Sequence, residues 1–433
     1  MNALMRKKIY KAEASIDGVF LSDLIQRFEL SERMDKCYYS GVVVFRMRTK
    51  DAMSYNLLKE GNILKVSIYV CTESEGTEVE EVVEDIFNID CLLVGNLLQL
   101  KKPIKTNYNE DDTSDFSEFI INFIDNNTFK NSLKKITRTF FDTNIESVIK
   151  TMANTSGINL VSLDAIENKT RYDQIAIPNL TFNQALSYLD RRYGLYSGIP
   201  ILNYSSKGES NNIDLEMFNL NKRIKSRTDF TLYSLVILDN ERINQLEEEK
   251  LTQTEHPIFR NLMPVIAPKN DYDAYRLVNL HKKKFVIYPD DKPVDYIDIN
   301  VGNDFIKNNE FLQLQSNYSF KEIVDSDSLE EIDNIDYKYL RDSDNMKRYF
   351  HTRLSKTIYK LNRIDMKISN DYFMFSIKPG NVVDWKINDD EYINISGKYF
   401  IDNIIRVFHL NNFVPSATNM VTSFSMHRAN LFK

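Results

Sequence analysis

The sequence predicts a β-rich α+β fold, with antiparallel sheets at the two ends of the chain and an α/β block between them. Three observations carry this. Apolar residues alternate at a period of two over roughly the first hundred positions, the period becomes helical between Phe119 and Tyr204, and alternation returns over about the last ninety.

In Val42 to Arg48, Val43, Phe45 and Met47 face one way while Arg46 and Arg48 face the other. Side chains alternate across a strand, so this pattern means one buried and one wet face. Asp51 to Leu58 reads as a short helix, and Gly61-Asn62 as a turn. Leu64, Val66, Ile68 and Val70 then share one side of a strand, and a further strand around Cys91 to Leu98 completes a small sheet or barrel. The acidic, Asn-rich stretch Thr106 to Ser117 marks a boundary.

Ile145, Val148, Ile149 and Met152 fall at i, i+3, i+4 and i+7, the apolar stripe of a helix. Thr143 with Glu146 is expected to form its capping box. Thr181 with Gln184 opens a second helix, whose stripe is Phe182, Ala185, Leu186, Leu189 and Tyr193 and whose end is Gly194. Leu195 to Tyr204 reads as a strand, and Ser205 to Asn212 as a second boundary. Beyond it, Phe230 to Leu238 is strand-like, Glu241 to Leu251 is a charged helix candidate and Lys284 to Tyr288 is a short strand. Near the end, Ile364, Met366 and Ile368 alternate, Tyr372 to Ile377 follows a turn, and Pro379-Gly380 is a strong turn signal. Tyr399, Ile401, Ile405 and Val407 are expected on one strand face, and Met420, Phe424 and Met426 on the final strand. Short strands separated by turns point to an antiparallel sandwich or barrel.

At 433 residues the chain exceeds one core and should hold about two to four domains. A net charge of −7 gives no basic face of the kind that binds a polyanion. Acids cluster, with eight and no base from Glu73 to Asp90, and seven and no base from Glu322 to Asp336. Solvated loops or helix faces are the plain reading; the sharper one is a surface that repels a passing polyanion or fits a basic partner. Cys37, Cys71 and Cys91 form no CxxC pair, and Cys91 sits in an apolar run that suits a buried thiol. No apolar stretch follows Arg6, Lys7 and Lys8, and no charge-free window spans a membrane, so a soluble protein assembled in the host cytoplasm is expected.

Catalytic signatures are missing: no GxSxG, Walker loop, GxGxxG or HExxH occurs. The five histidines are isolated, and only His409 and His427 lie on neighbouring predicted strands where they could meet. Trp385 could serve as a sugar platform but reads better as core. Asp389-Asp390-Glu391 reads as a solvated turn. We therefore expect no enzyme, no catalytic or metal-binding residues and no cofactor, with a glycan hydrolase or glycan-binding module as the alternative.

Three segments resemble the baseplate hub proteins of T-even-like contractile phage tails, which share a fold with the valine-glycine repeat spike proteins of type VI secretion. The first is the beginning of the chain, ending in Glu60-Gly61-Asn62-Ile63-Leu64-Lys65-Val66-Ser67-Ile68. The second is the helical block, with its stripe at Ile145 to Met152, the Asn179-Leu180-Thr181 entry and the Tyr193-Gly194-Leu195-Tyr196 exit. The third is the Pro379-Gly380 turn followed by Lys398 to Ile405 and the closing strand to Asn430. The resemblance implies a virion protein of the tail baseplate. It would be a homotrimer with two tube-like β-barrels per chain, joining a six-fold tail tube to a three-fold central spike around an axial channel. The implied partners are the tail tube, central spike and baseplate wedge proteins, with DNA and the tape-measure protein only passing through and no stable membrane insertion. Another tube-end or adaptor protein is the alternative within this class. Residues 1–105 would form the first barrel, 106–204 the α/β block, 205–345 a returning strand with an insertion, and 346–433 the second barrel and C-terminal region.

An internal repeat supports this from the residues themselves. Gly61-Asn62-Ile63-Leu64-Lys65-Val66 reads like Gly380-Asn381-Val382-Val383-Asp384-Trp385, each a turn opening an apolar strand. Pro379, Gly380 and Asn381 are thus expected to match Gly61 and Asn62 as structural turns. A duplicated barrel would resolve a mismatch between three-fold and six-fold rings. An enclosed channel should have a neutral or negative wall, for which Glu73 to Asp90 is a candidate.

Overall fold

The structure is a computed structural model that describes residues 8–34, 38–48, 56–72, 81–101, 116–206, 213–235, 258–262, 265–269, 282–287, 295–300, 363–369, 377–387, 396–410 and 419–429. The expected elements over 51–55, 241–251 and 372–376, residues 73–80 of the acidic run Glu73 to Asp90, the run 322–336, Asp389 to Glu391 and Cys37 lie outside these residues; the rest of the first run, 81–90, is part of a strand and not the loop or helix face expected of it.

The first seven strands are β1 (Lys8–Ile16), β2 (Val19–Phe20), β3 (Ile25–Arg33), β4 (Ser40–Arg48), β5 (Ile63–Thr72), β6 (Glu81–Lys101) and β7 (Phe116–Asp125). Alternation places Leu64, Val66, Ile68 and Val70 of β5 in the core and, on β4, buries Val43, Phe45 and Met47 while exposing Arg46 and Arg48. The Phe119 end of the stretch expected to be helical belongs here instead. Phe119, Ile121 and Phe123 alternate as buried residues of β7, which pairs with β4 and β6.

The middle of the chain folds as α1 (Asn126–Ser132), β8 (Lys135–Asn144), α2 (Ile145–Ser156), β9 (Ile158–Leu163), β10 (Arg171–Thr181), α3 (Phe182–Tyr193), β11 (Pro200–Ser206), β12 (Ile213–Asn219) and α4 (Leu220–Ser226). Both predicted helical stripes are buried around one core. Thr181 and Gln184 form the expected reciprocal capping box. At α2 the cap is one residue later than expected: the Asn144 side chain accepts the Ser147 N–H at 2.9 Å. The Glu146 carboxylate instead pairs with Lys150 and Lys169. Residues 195–199 precede the strand expected there, which begins at Pro200.

The remaining strands are β13 (Phe230–Leu235), β14 (Ile258–Leu262), β15 (Val265–Lys269), β16 (Lys282–Ile287), β17 (Asp295–Asn300), β18 (Arg363–Ser369), β19 (Val382–Ile387), β20 (Gly397–His409) and β21 (Asn419–Arg428). The first seven strands lie side by side in the order β2-β1-β5-β6-β7-β4-β3, and the last set in the order β14-β13-β19-β20-β21-β18-β15. Numbered within each set in chain order, and leaving out the separate β16–β17 hairpin, these are the same permutation. Pairings from β5 to β3 and from β19 to β15 are all antiparallel. The sets differ at one end: β1 pairs antiparallel with β5, whereas β13 pairs parallel with β19.

Neither set is a closed barrel in its strand pairing among the described residues. In the first set the edge of β3 is taken by β20, whose own edge changes partner along its length. Lys398 to Phe400 pair with β19, whereas Asn403 to His409 pair with β3 of the first set. One continuous 14-stranded sheet results. Each set nonetheless curls, because its two outermost strands are consecutive in the chain. Only residues 21–24 separate β2 from β3, and only 263–264 separate β14 from β15. Two intervening residues reach no further than about 11 Å.

The β20 switch coincides with a register shift between Ile401 and Asn403 against β21. An extra residue reverses the alternation that follows it. Tyr399 and Ile401 are buried as expected, but beyond the bulge Ile404, Arg406 and Phe408 turn inward while Ile405 and Val407 are only half-buried. Phe408 reaches the first core, its ring centroid 6.4 Å from Phe28 and 5.9 Å from Tyr10. Arg406, 3% exposed, forms an ion pair with Glu32 of β3 and donates to the Ile377 carbonyl at 2.7 Å. Burial lowers its pKa to about 9. Removing one partner of such a pair strands a buried charge. Arg406→Met should therefore cost about 3–5 kcal/mol in chemical denaturation, and the double variant Glu32→Leu/Arg406→Met should recover most of that loss.

Candidate functional site: the turn pair and the three-way junction

The two Gly-Asn turns share one geometry. Gly61 has φ +90° and Gly380 φ +83°, the left-handed region that a residue without Cβ adopts cheaply. The Gly61 N–H donates to Leu93 O at 2.9 Å, and the Gly380 N–H to Ile401 O at 2.7 Å. In return Leu93 N–H donates to Asn62 O at 2.9 Å, and Ile401 N–H to Asn381 O at 3.0 Å. Asn62 and Asn381 each donate their N–H to the residue three positions back, Lys59 and Lys378. Each turn thus launches a strand, β5 or β19, against a longer antiparallel partner, β6 or β20.

Their surroundings differ. A Cβ on Gly61 would meet nothing within 4 Å, whereas one on Gly380 would lie 3.0 Å from Ile201 Cγ2 and 3.1 Å from Phe218 Cζ. Gly380 and the buried Pro379 therefore seat the second turn against β11 and β12. Asp229 completes the seat: its Oδ2 accepts the Val382 N–H at 2.7 Å, and its own N–H donates to Val382 O at 2.8 Å. Burial opposes its charge, yet the Val382 N–H with Arg223 and Arg227 outweighs it and lowers the carboxyl pKa. Opposite this seat, Tyr39 donates to Tyr204 O at 2.9 Å, its pKa pushed up to about 12 by burial and the nearby Asp125. A shallow cleft between Glu32, Tyr38, Thr128, Asn203 and Lys378 marks where the two strand sets and the α/β block meet.

The candidate chemistry of the sequence is not brought together. His409 and His427 stand at opposite ends of the β20–β21 ladder, opposite Asn419 and Phe400. Trp385 is fully buried, donating its indole N–H to Ser234 Oγ at 2.9 Å, so it offers no sugar platform. Carboxylates in the α/β block serve backbone amides. Asp164 accepts the Asn219 N–H, Glu167 the Ser197 N–H and Asp190 the Leu195 N–H. Among the described residues there is no cluster suited to a metal ion, and no helix is long and apolar enough to cross a membrane. Cys71 and Cys91 are buried free thiols.

The periodicity made both turns visible, but nothing local signalled Asp229 or the seat of Gly380, which are contacts between distant segments. Substituting valine at Gly61 should cost about 1–3 kcal/mol from strain at positive φ. At Gly380 the same change should cost a further 1–3 kcal/mol or so by crowding Ile201 and Phe218. Equal losses for the two variants in urea unfolding would overturn this difference.

The family described as bacteriophage PBS1 gene 109 protein matches residues 4–258, more than half of the chain. No curated protein matches the sequence. Among solved structures, the 43 kDa tail protein of prophage MuSo2 from Shewanella oneidensis aligns with a TM-score of 0.52 at 10% identity, over 98% of this chain and 99% of that one. The tail protein from Neisseria meningitidis MC58 aligns with a TM-score of 0.48 at 12% identity over 96% of each chain. A Francisella PdpA-VgrG complex aligns with 0.46 at 10% identity, over 99% of this chain and 59% of that one. At such identities the first of these likenesses is one of fold. The chain belongs to the bacteriophage PBS1 gene 109 protein family and has the fold of a phage tail protein.

Proposed function

We propose that the chain is the hub subunit of a phage tail baseplate, a structural protein of the virion. The observation that carries this reading is the duplicated strand order, with matched Gly-Asn turns and with the two sets fused through β20 and β3. Two similar curled sheets in one chain let three chains present six similar units. That is what a ring needs in order to face a six-fold tube on one side and a three-fold spike on the other. The first unit comprises β1–β7 and the second β13–β15 with β18–β21, with the α/β block seated against the second turn. Tail tube, central spike and baseplate wedge proteins are the partners of this reading, and an axial channel admits DNA and tape-measure protein. The family match and the likeness to a prophage tail protein support the tail assignment.

The copy number tests it. Mass measurement of the purified chain, alone and within purified tail particles, should give three copies per particle. Six copies in a ring would assign the protein to the tube end instead. Clearing of cell-wall suspensions by the purified chain would favour a glycan hydrolase.

A further inference from the structure

The matched turns align the two long strands residue by residue. Leu93 of β6 and Ile401 of β20 occupy the same place, since each exchanges hydrogen bonds with a turn. Leu93 pairs with Phe123, and Ile401 with Met426, which aligns β7 with β21. Both long strands then break register just beyond this point, β20 after Ile401 and β6 after Val94. Past the break, Leu98 opposite Ile120 corresponds to Ile405 opposite Ser423, and Lys101 opposite Glu118 to Val407 opposite Val421.

The two extensions are covered unequally. In β20 the edge carrying Ile405 and Val407 is paired by β3, through Ser31 and Glu29. In β6 the segment Leu98 to Lys101 pairs with β7 on one edge, and among the described residues no strand pairs with its other edge. Leu98 is 59% exposed, while its counterpart Ile405 is half-buried; Leu100, which lies at a further register shift between Gln99 and Lys101 and has no counterpart in β20, is 47% exposed. The strand corresponding to β3 is β15, which pairs with β18 on one edge and, among the described residues, with no strand on the other. Matching Val43 to Met366 through their β7 and β21 partners sets Phe28 level with Ile266, hence Ser31 with Lys269 and Glu29 with Ala267.

We propose that a second copy of this chain adds its β15 edge to the edge of β6 opposite β7, repeating between chains the antiparallel ladder that β3 and β20 form within one. The expected register places Leu98 opposite Lys269 of the other copy, and Lys101 opposite Ala267. An exposed edge with two leucines is a template for strand addition, and here the intrachain ladder shows which strand fits it. The contact is head-to-tail, so it propagates from copy to copy, and a three-fold rotation between copies closes it as a ring. This rests on the hub reading above, since it assigns the seam by which that ring closes.

Mixing Leu98→Cys chains with Lys269→Cys chains and oxidising them should give disulfide-linked dimers on non-reducing gels, and either chain alone should not. The pair Lys101→Cys and Ala267→Cys should behave likewise. Leu98→Lys/Leu100→Lys, two changes at exposed positions, should weaken self-association at least ten-fold with circular dichroism unchanged. If the chain is trimeric by mass yet neither cysteine pair links and the lysine variant associates normally, the ring closes through another surface. The seam is then wrong while the hub reading stands. A chain that stays monomeric at every concentration, alone and with its spike, would overturn both.

Discussion

Strand β20 is the member on which the rest of the architecture depends, because its thirteen residues serve three hydrophobic cores. Tyr399, Ile401 and Ile404 belong to the core of the second strand set, Phe400 to the contact with the α/β block, and Phe408 to the core of the first set. A regular strand shows only two faces, so no straight β20 could do this. The bulge after Ile401 supplies the turn of face, and the Arg406–Glu32 ion pair lies where the strand leaves one set for the other. A buried guanidinium is costly, and Arg406 is tolerated because Glu32 and the Ile377 carbonyl meet it there.

The α/β block has its own core and is tied to the second set by directional contacts as well as apolar ones. Val382 and Phe400 pack with Ile199, Ile201, Phe218, Leu220 and Ile224. Asp229 holds both backbone groups of Val382, one through its side chain and one through its amide. Contacts of this kind fix the orientation of the block as well as its attachment. Gly380 shows the cost of such closeness, since a single methyl group would already crowd the joint.

Much of the local order was legible in the sequence. The alternation in Val43 to Met47 and in Leu64 to Val70, the helical stripes and the Thr181–Gln184 box depend on neighbours within a few residues, and these were read correctly. What was not legible depends on insertion or on distance. A single extra residue at the β20 bulge inverted the expected faces of Ile405 and Val407, and Asn144 displaced Thr143 as a cap because both residue types can serve. Phe119 to Phe123 carry a strand pattern too short to stand out beside the helical region that follows. The pairing of β3 with β20, the seat of Gly380 and the role of Asp229 join segments far apart in the chain, and no local pattern marks them. The duplicated turns were visible as six matched positions; their matched hydrogen bonds required the fold.

The ladder between β3 and β20 has a consequence for biosynthesis. Ser31 and Asn403, in contact across it, are 372 residues apart. At about 5–20 residues per second, β3 leaves the ribosome roughly 20–75 s before the strand that covers it. For that interval its edge is open, and so is the place that Phe408 will fill in the first core. The nascent chain therefore carries a sticky strand through most of its own translation, while other copies emerge nearby on the same message. Any mistaken pairing between nascent copies would use the same backbone groups as the correct one, which makes the arrival of the last strands the step that commits each chain to its own fold.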